Sequence, residues 1–284
     1  MRKRVVFHVL TVTGLLAATV FSLAHAQEPR ILFIGDSHTA GTFGDEFAKE
    51  LASAFHGQVS RYGVSSSAVL HWMGRSSFAR LTGGWRTSQV GTDGNHTNVN
   101  GDPRGHVGPD FPTYTQLLGQ GFDVVVIALG TNDVNNYCSW NQARQAEAIQ
   151  LAKSMADRTS GKTCVWVGPP SFTERARVIF EGCGGQSGRY DRTVDALKQE
   201  LEKSCLYIDS RKFKMPPRTQ SGNPLRPTSL EECYAGTVPM YPDRSSDHVH
   251  FDSLGRYWAA CAGLELKARR DQSKITQALS TGAR

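Results

Sequence analysis

Past residue 26 the chain has no apolar stretch long enough to cross a bilayer, no internal repeat and no Pro/Ser-rich linker. These absences exclude a later transmembrane span and a repeat array, and leave one sizeable α/β domain as the simplest reading of roughly 258 residues. No two cysteines stand at C-x-x-C spacing and none has a histidine at ligand spacing, so no metal is expected. Charge is scarce too: without Arg2, Lys3 and Arg4 the formal net charge falls from +6 to +3. So small an excess argues for no acidic partner, and nucleic acid is not an expected one.

What is present begins at the N-terminus. Arg2-Lys3-Arg4 precedes an apolar stretch from Val5 to Leu23 and then Ala24-His25-Ala26, the layout of a signal peptide cleaved after Ala26. An uncleaved anchor is the alternative, against which His8, Thr11, Thr13 and Gly14 dilute the stretch. The mature chain, residues 27–284, is thus expected to be exported, periplasmic or secreted, without stable membrane insertion. In an oxidising compartment Cys138, Cys164, Cys183, Cys205, Cys233 and Cys261 predict up to three disulfides. At the other end, Lys267, Arg269, Arg270, Lys274 and Arg284 read as a solvated, frayed terminus.

Four short apolar runs, Arg30 to Ile34, Asp123 to Leu129, Thr163 to Val167 and Cys205 to Ile208, read as buried strands, and Gln58 to Tyr62 as a weaker one. Continuous apolarity means that both faces are covered, as in a parallel sheet between helix layers. Helical patterns fall between them at Phe43 to Phe55, Asn141 to Asp157, Tyr190 to Lys203 and Ser253 to Arg269; Phe43, Phe47, Leu51 and Phe55 recur four apart. The alternation predicts a three-layer α/β/α sandwich on a parallel, five-stranded sheet. Two segments break it: 74–113, rich in Gly, Asn and Thr with aromatics in or beside it, and 211–246, with six prolines. Such long irregular stretches are expected to be substrate-binding loops.

Ligands in an open parallel sheet collect at the carboxyl ends of its strands. The first strand ends in Gly35-Asp36-Ser37-His38, which places a hydroxyl nucleophile at a strand-to-helix turn, though Asp and Ser there are also ordinary helix caps. A later strand ends in Gly130-Thr131-Asn132-Asp133, whose asparagine offers two uncharged donors to an oxyanion; Gly, Asn and Asp also favour plain turns. Asp247-His248-Val249-His250-Phe251 stands just before the last helix and supplies an imidazole base with a carboxylate to orient it.

In this order the motifs resemble the SGNH/GDSL hydrolase superfamily. Gly35-Asp36-Ser37 matches its first block, Gly63 after the second predicted strand its second, Gly130-x-Asn132-Asp133 its third and Asp247-x-x-His250 its fifth. The resemblance implies the SGNH fold with a flavodoxin-like sheet, and no cofactor. It implies Ser37 as nucleophile, His250 as base, Asp247 as the orienting acid, and an oxyanion hole built from the N–H groups of Ser37 and Gly63 and the side chain of Asn132. Residue 38 is His where the name-giving block has Leu; adjacent to the nucleophile on a turn, His38 is not expected to be the base. Cys164 and Cys205 open strands that neighbour each other in that fold, so a bridge between them is possible; Cys138, Cys183 and Cys233 are expected in loops toward the active-site face.

The function implied is an exported serine esterase that removes acyl, above all O-acetyl, groups from a carbohydrate such as peptidoglycan or another polysaccharide, with small esters as further substrates. Trp72, Trp85 and Trp140 are candidates for stacking on sugar rings, against the plainer reading that they pack the loops. A lipase or thioesterase, an O-acetyltransferase, and a non-catalytic carbohydrate-binding protein are the alternatives. Oligomeric state is not legible.

Overall fold

A computed structural model describes residues 27–81, 83–108, 110–133, 142–171, 189–241 and 253–282. The five expected strands all form: β1 (Arg30–Gly35), β2 (Gln58–Val64), β5 (Val124–Ala128), β6 (Thr163–Val167) and β7 (Leu206–Ile208). They pair in parallel in the order β2-β1-β5-β6-β7.

Among the described residues the sheet has seven strands, not five. Two more, β3 (Trp85–Val90) and β4 (His96–Asp102), form an antiparallel hairpin on the outer edge of β2, within the segment expected to be loop. Their sequences carry few apolar residues because the hairpin is largely solvated: β4 is half-buried at His96 and exposed from Thr97 to Asp102. Burial selects for apolar runs, and an edge hairpin needs few.

Alternate side chains of β1 enter two cores. Ile31 and Phe33 join Phe43, Phe47 and Leu51 of α2 (Thr42–Phe55) and Trp258 of the last helix; Leu32 and Ile34 join Trp72, Tyr114, Met155 and Trp166 on the other face. All four β1 residues are fully buried, which is why the run is apolar throughout. The helices between strands are α1 (Ser37–Ala40), α2, α3 (Val69–Trp72), α4 (Tyr114–Leu118), α5 (Gln142–Asp157) and α6 (Arg189–Leu201). The three-layer α/β/α architecture is as the sequence predicts.

Beyond β7 come α7 (Leu230–Tyr234) and α8 (Leu254–Gly282). The helix α8 continues past Arg269, so the expected frayed tail is helical there. Lys267 pairs with Glu50 of α2 at 3.1 Å, Arg269 pairs with Glu265, and the Arg270 guanidinium lies over the Phe55 ring at 4.5 Å. Lys267 and Arg270 tie α8 to α2, whereas the Arg269 pair lies within α8.

Among the described residues two disulfides, Cys164–Cys205 and Cys233–Cys261, are formed. The first joins the starts of β6 and β7 as considered. The second ties α7 to α8 and corrects the placing of Cys233 on the active-site face. Phe213 and Met240 are fully buried in the same core, so the segment is anchored near both ends and through Cys233 to α8, while residues 217–225 between them are mostly exposed. Cys138 and Cys183 lie outside the described residues. Such bonds persist in oxidising compartments. Among the described residues no helix is long and apolar enough to cross a membrane.

Candidate active site

The strand order reverses around β1: the chain passes from it to β2 on one side and to β5 on the other. The crevice at that switch point is where ligands bind in such sheets. Ser37 emerges there at the start of α1, just after β1, and Asn132 emerges just after β5. Both line one cleft of about 670 Å³. Asp36 caps α1, its Oδ1 accepting the His38 N–H at 2.9 Å.

His38 turns the other way. Its ring is buried and meets Trp258 edge-on at 5.2 Å, and it is absent from the cleft lining.

Asn132 is held by a single fully buried serine. Its Nδ2 donates to the Ser67 carbonyl at 2.9 Å, which occupies one N–H of the amide and leaves the other to be aimed. The Ser67 hydroxyl donates to the Gly35 carbonyl at 3.3 Å and accepts from Trp72 Nε1 at 3.1 Å. Ser67 thus ties β1, the β2–α3 turn and Asn132 together. Ser67→Ala keeps the carbonyl but removes both hydroxyl bonds, leaving the Trp72 indole N–H buried without its acceptor. A loss of about 1–3 kcal/mol of stability is expected by urea unfolding.

Trp72 is therefore no platform for a sugar. It is fully buried, with Phe78 and Phe111 edge-on at 5.0 and 6.0 Å, and packs the core as the plainer reading has it. Trp85 is half-buried and does line the cleft. Trp140, Asp247 and His250 lie outside the described residues.

Gly63 does not line the cleft. It sits within β2, opposite Gly35 on one side and Arg86 on the other, and a Cβ there would lie 2.3 Å from the Ala40 backbone nitrogen. Its smallness lets α1 close onto β2; contact with substrate does not explain it. The turn lines the cleft through Ser65 and Ser66, the latter in left-handed backbone conformation with φ 61°. That conformation is uncommon for a residue with a Cβ and marks a constrained turn. On either side of it, the Ser65 N–H donates to Gly84 O at 2.9 Å and the Ser67 N–H to Val64 O at 3.1 Å. Glycine is the usual sequence signal for such a turn, and a serine there conceals it.

The far wall of the cleft is the β3–β4 hairpin, through Trp85, Arg86, Val99 and Asn100. Of the two segments expected to be substrate loops, only 74–113 supplies lining among the described residues.

Two buried carboxylates lie beneath the cleft. Asp133 accepts the Val69 N–H with both oxygens, at 3.1 and 3.2 Å. Burial pushes Asp36 and Asp133 up to about 7, and for Asp133 the neighbouring Asp36 adds to the rise.

No family model and no curated protein matches the chain. Solved structures do. Its fold is similar to that of a putative GDSL-like lipase from Parabacteroides merdae, at 14% identity over 85% of this chain and 96% of that one, with a TM-score of 0.47. It is similar also to a carbohydrate acetylesterase family member from Sinorhizobium meliloti (17%, 85% and 98%, 0.45) and to the aryl esterase of M. smegmatis (16%, 86% and 99%, 0.45). Likeness at this level assigns no residue; the roles below rest on the chain's own motifs and geometry.

Proposed function

We propose that the chain is an exported serine esterase of the SGNH/GDSL type that removes acyl groups, above all O-acetyl groups, from carbohydrate. The observation that carries the reading is the convergence of Ser37, Ser66 and Asn132, from three separate turns, on one cleft at the switch point of the sheet. A hydroxyl at a helix start and a pinned amide facing the same space suit acyl transfer.

In this scheme Ser37 Oγ attacks the ester carbonyl while its proton passes to His250, whose ring Asp247 orients. The carbonyl oxygen becomes an oxyanion held by Asn132 Nδ2 and the backbone N–H groups of Ser37 and, in place of Gly63, Ser66. Collapse expels the sugar alkoxide, which takes the proton from His250 and leaves an acyl-Ser37. Water, deprotonated by His250, then releases the acid and frees the serine. Support for His250 comes from where α8 begins. At Gly255 a Cβ would lie 3.0 Å from the Phe43 backbone nitrogen, so the chain enters α8 beside the α1–α2 junction, whose Gly41 lines the cleft. Asp247 and His250 precede that entry directly in sequence.

A fluorophosphonate probe is expected to label Ser37, located by peptide mass spectrometry. A label on another serine, or none, refutes the reading. Hydrolysis of p-nitrophenyl acetate in preference to the octanoate is expected as well; the reverse preference sinks the O-acetyl assignment.

A further inference from the structure

The hairpin wall carries a charge that ester hydrolysis does not itself require. Among the described residues of the cleft lining, Arg86 is the one ionised side chain; the rest are Ser, Ala, Gly, Trp, Val, Asn and Pro. Its side chain is 37% exposed, and its Nη1 donates to Asp45 Oδ2 at 2.9 Å. The other oxygen of that carboxylate lies 2.8 Å from Nη1 of Arg61, whose side chain is fully buried. This second contact is an ion pair without the alignment of a hydrogen bond. Arg61 Nε donates to Ser88 Oγ on β3 at 3.0 Å.

One carboxylate therefore serves two guanidinium groups, and the cluster keeps a net charge of +1. Its other neighbours do not cancel that charge. His96 Nε2 is 3.2 Å from the Asp45 backbone oxygen, and burial, then Arg61, holds its pKa below the ordinary histidine value, so the ring is neutral at pH 7. Lys49, nearby on α2, is paired with Glu46 at 3.1 Å. A buried arginine tolerates its desolvation only with its carboxylate in place, which fixes Asp45, and Asp45 in turn fixes Arg86. The result is a guanidinium braced through one nitrogen in a residue that lines the cleft.

Resting on the esterase reading, we infer that the preferred substrate carries a carboxylate near its ester, as an acylated acidic sugar does, with Arg86 as the residue that selects it. The guanidinium fork of Arg86 matches a carboxylate in shape and charge. A neutral acylated sugar would leave that cation facing water and gain nothing from it.

The test compares kcat/KM for 4-acetoxybenzoate and its methyl ester, which present the same acetyl ester with and without a negative charge. The wild type is expected to favour the anion by about tenfold relative to Arg86→Gln, while Arg86→Lys keeps part of the preference and 0.5 M NaCl shrinks it. Calorimetric titration with an unesterified galacturonate oligomer and a neutral glucose oligomer reads the same selection without catalysis. If the two ratios are equal in wild type and Arg86→Gln, and the two oligomers bind alike, the inference is overturned. Loss of all hydrolysis with a retained preference for the acidic oligomer instead refutes the esterase reading and upholds Arg86.

Discussion

Ser37→Ala is expected to lower hydrolysis of p-nitrophenyl acetate by about 10⁴-fold or more, with the far-ultraviolet circular dichroism unchanged. Removing the hydroxyl removes the acyl-enzyme route altogether, and no other described nucleophile in the cleft has the same relation to α1. Ser65 and Ser66 are also in the lining, but they stand on the β2–α3 turn, away from a helix start. Asn132→Ala is expected to cost less, about 10²–10³ in kcat, with KM changed little, because its amide acts on charge that develops only in the transition state. In the double variant the two losses should not multiply, since an oxyanion donor has nothing to stabilise once the attacking group is gone. Multiplying losses would place Asn132 outside the chemistry. An undiminished rate in Ser37→Ala would remove the serine from it.

How much of this was legible depends on what burial does to sequence. The parallel strands announce themselves because both of their faces are covered: Ile31 to Ile34 has to be apolar at every position. The β3–β4 hairpin is quiet for the opposite reason, since its outer strand is mostly exposed and is built from Thr, Asn and Gly. An Asp93-Gly94 turn between two polar stretches was the available signal, with the Gly94 N–H closing onto Gly91 O. Missing the hairpin meant missing Arg86 and its brace on Asp45, and with them the charged wall of the cleft. Trp72 shows the reverse difficulty. An indole in a Gly-rich neighbourhood invites a binding role, but depth is a property of the fold, and Ser67 had to be seen beneath its nitrogen before packing could be recognised. Gly63 and Ser66 divide one expectation between them: the glycine meets a close approach of α1, while the residue in the left-handed conformation at the cleft is a serine. Ser37 and Asn132 were legible because each directly follows the end of a strand that the sequence does announce.

Stability is expected to fall as pH rises from about 5 to 8, which is unusual for a chain whose carboxylates are mostly exposed. Asp36 and Asp133, at about 7 in the folded state, compare with 3.8 for an unperturbed aspartate. Between those values the folded chain holds protons that the unfolded chain has released. The stabilisation is complete below the unfolded value and is lost as pH climbs through the folded one. Exposed carboxylates held low by hydrogen bonds, such as Asp157 against Lys153 and Ser204, act in the opposite sense and withdraw their contribution only as pH falls toward 3.8 and below. His71 and His96, held below the ordinary histidine value by burial, stabilise the fold as pH rises toward 6.5 and offset part of the fall. Urea unfolding at pH 5 and pH 8 should differ by about 5 kcal/mol from the two carboxyls, less the share of the histidines, in the wild type. Asp133→Asn keeps an acceptor for the Val69 N–H, cannot ionise, and removes the repulsion that raises Asp133 beside Asp36. That variant is expected to be the more stable at pH 8 and to lose about half of the pH dependence, because Asp36 is raised by its own burial. A wild type as stable at pH 8 as at pH 5 would mean that both carboxylates are ionised in the folded chain, with a neutralising partner beneath the cleft that balances them.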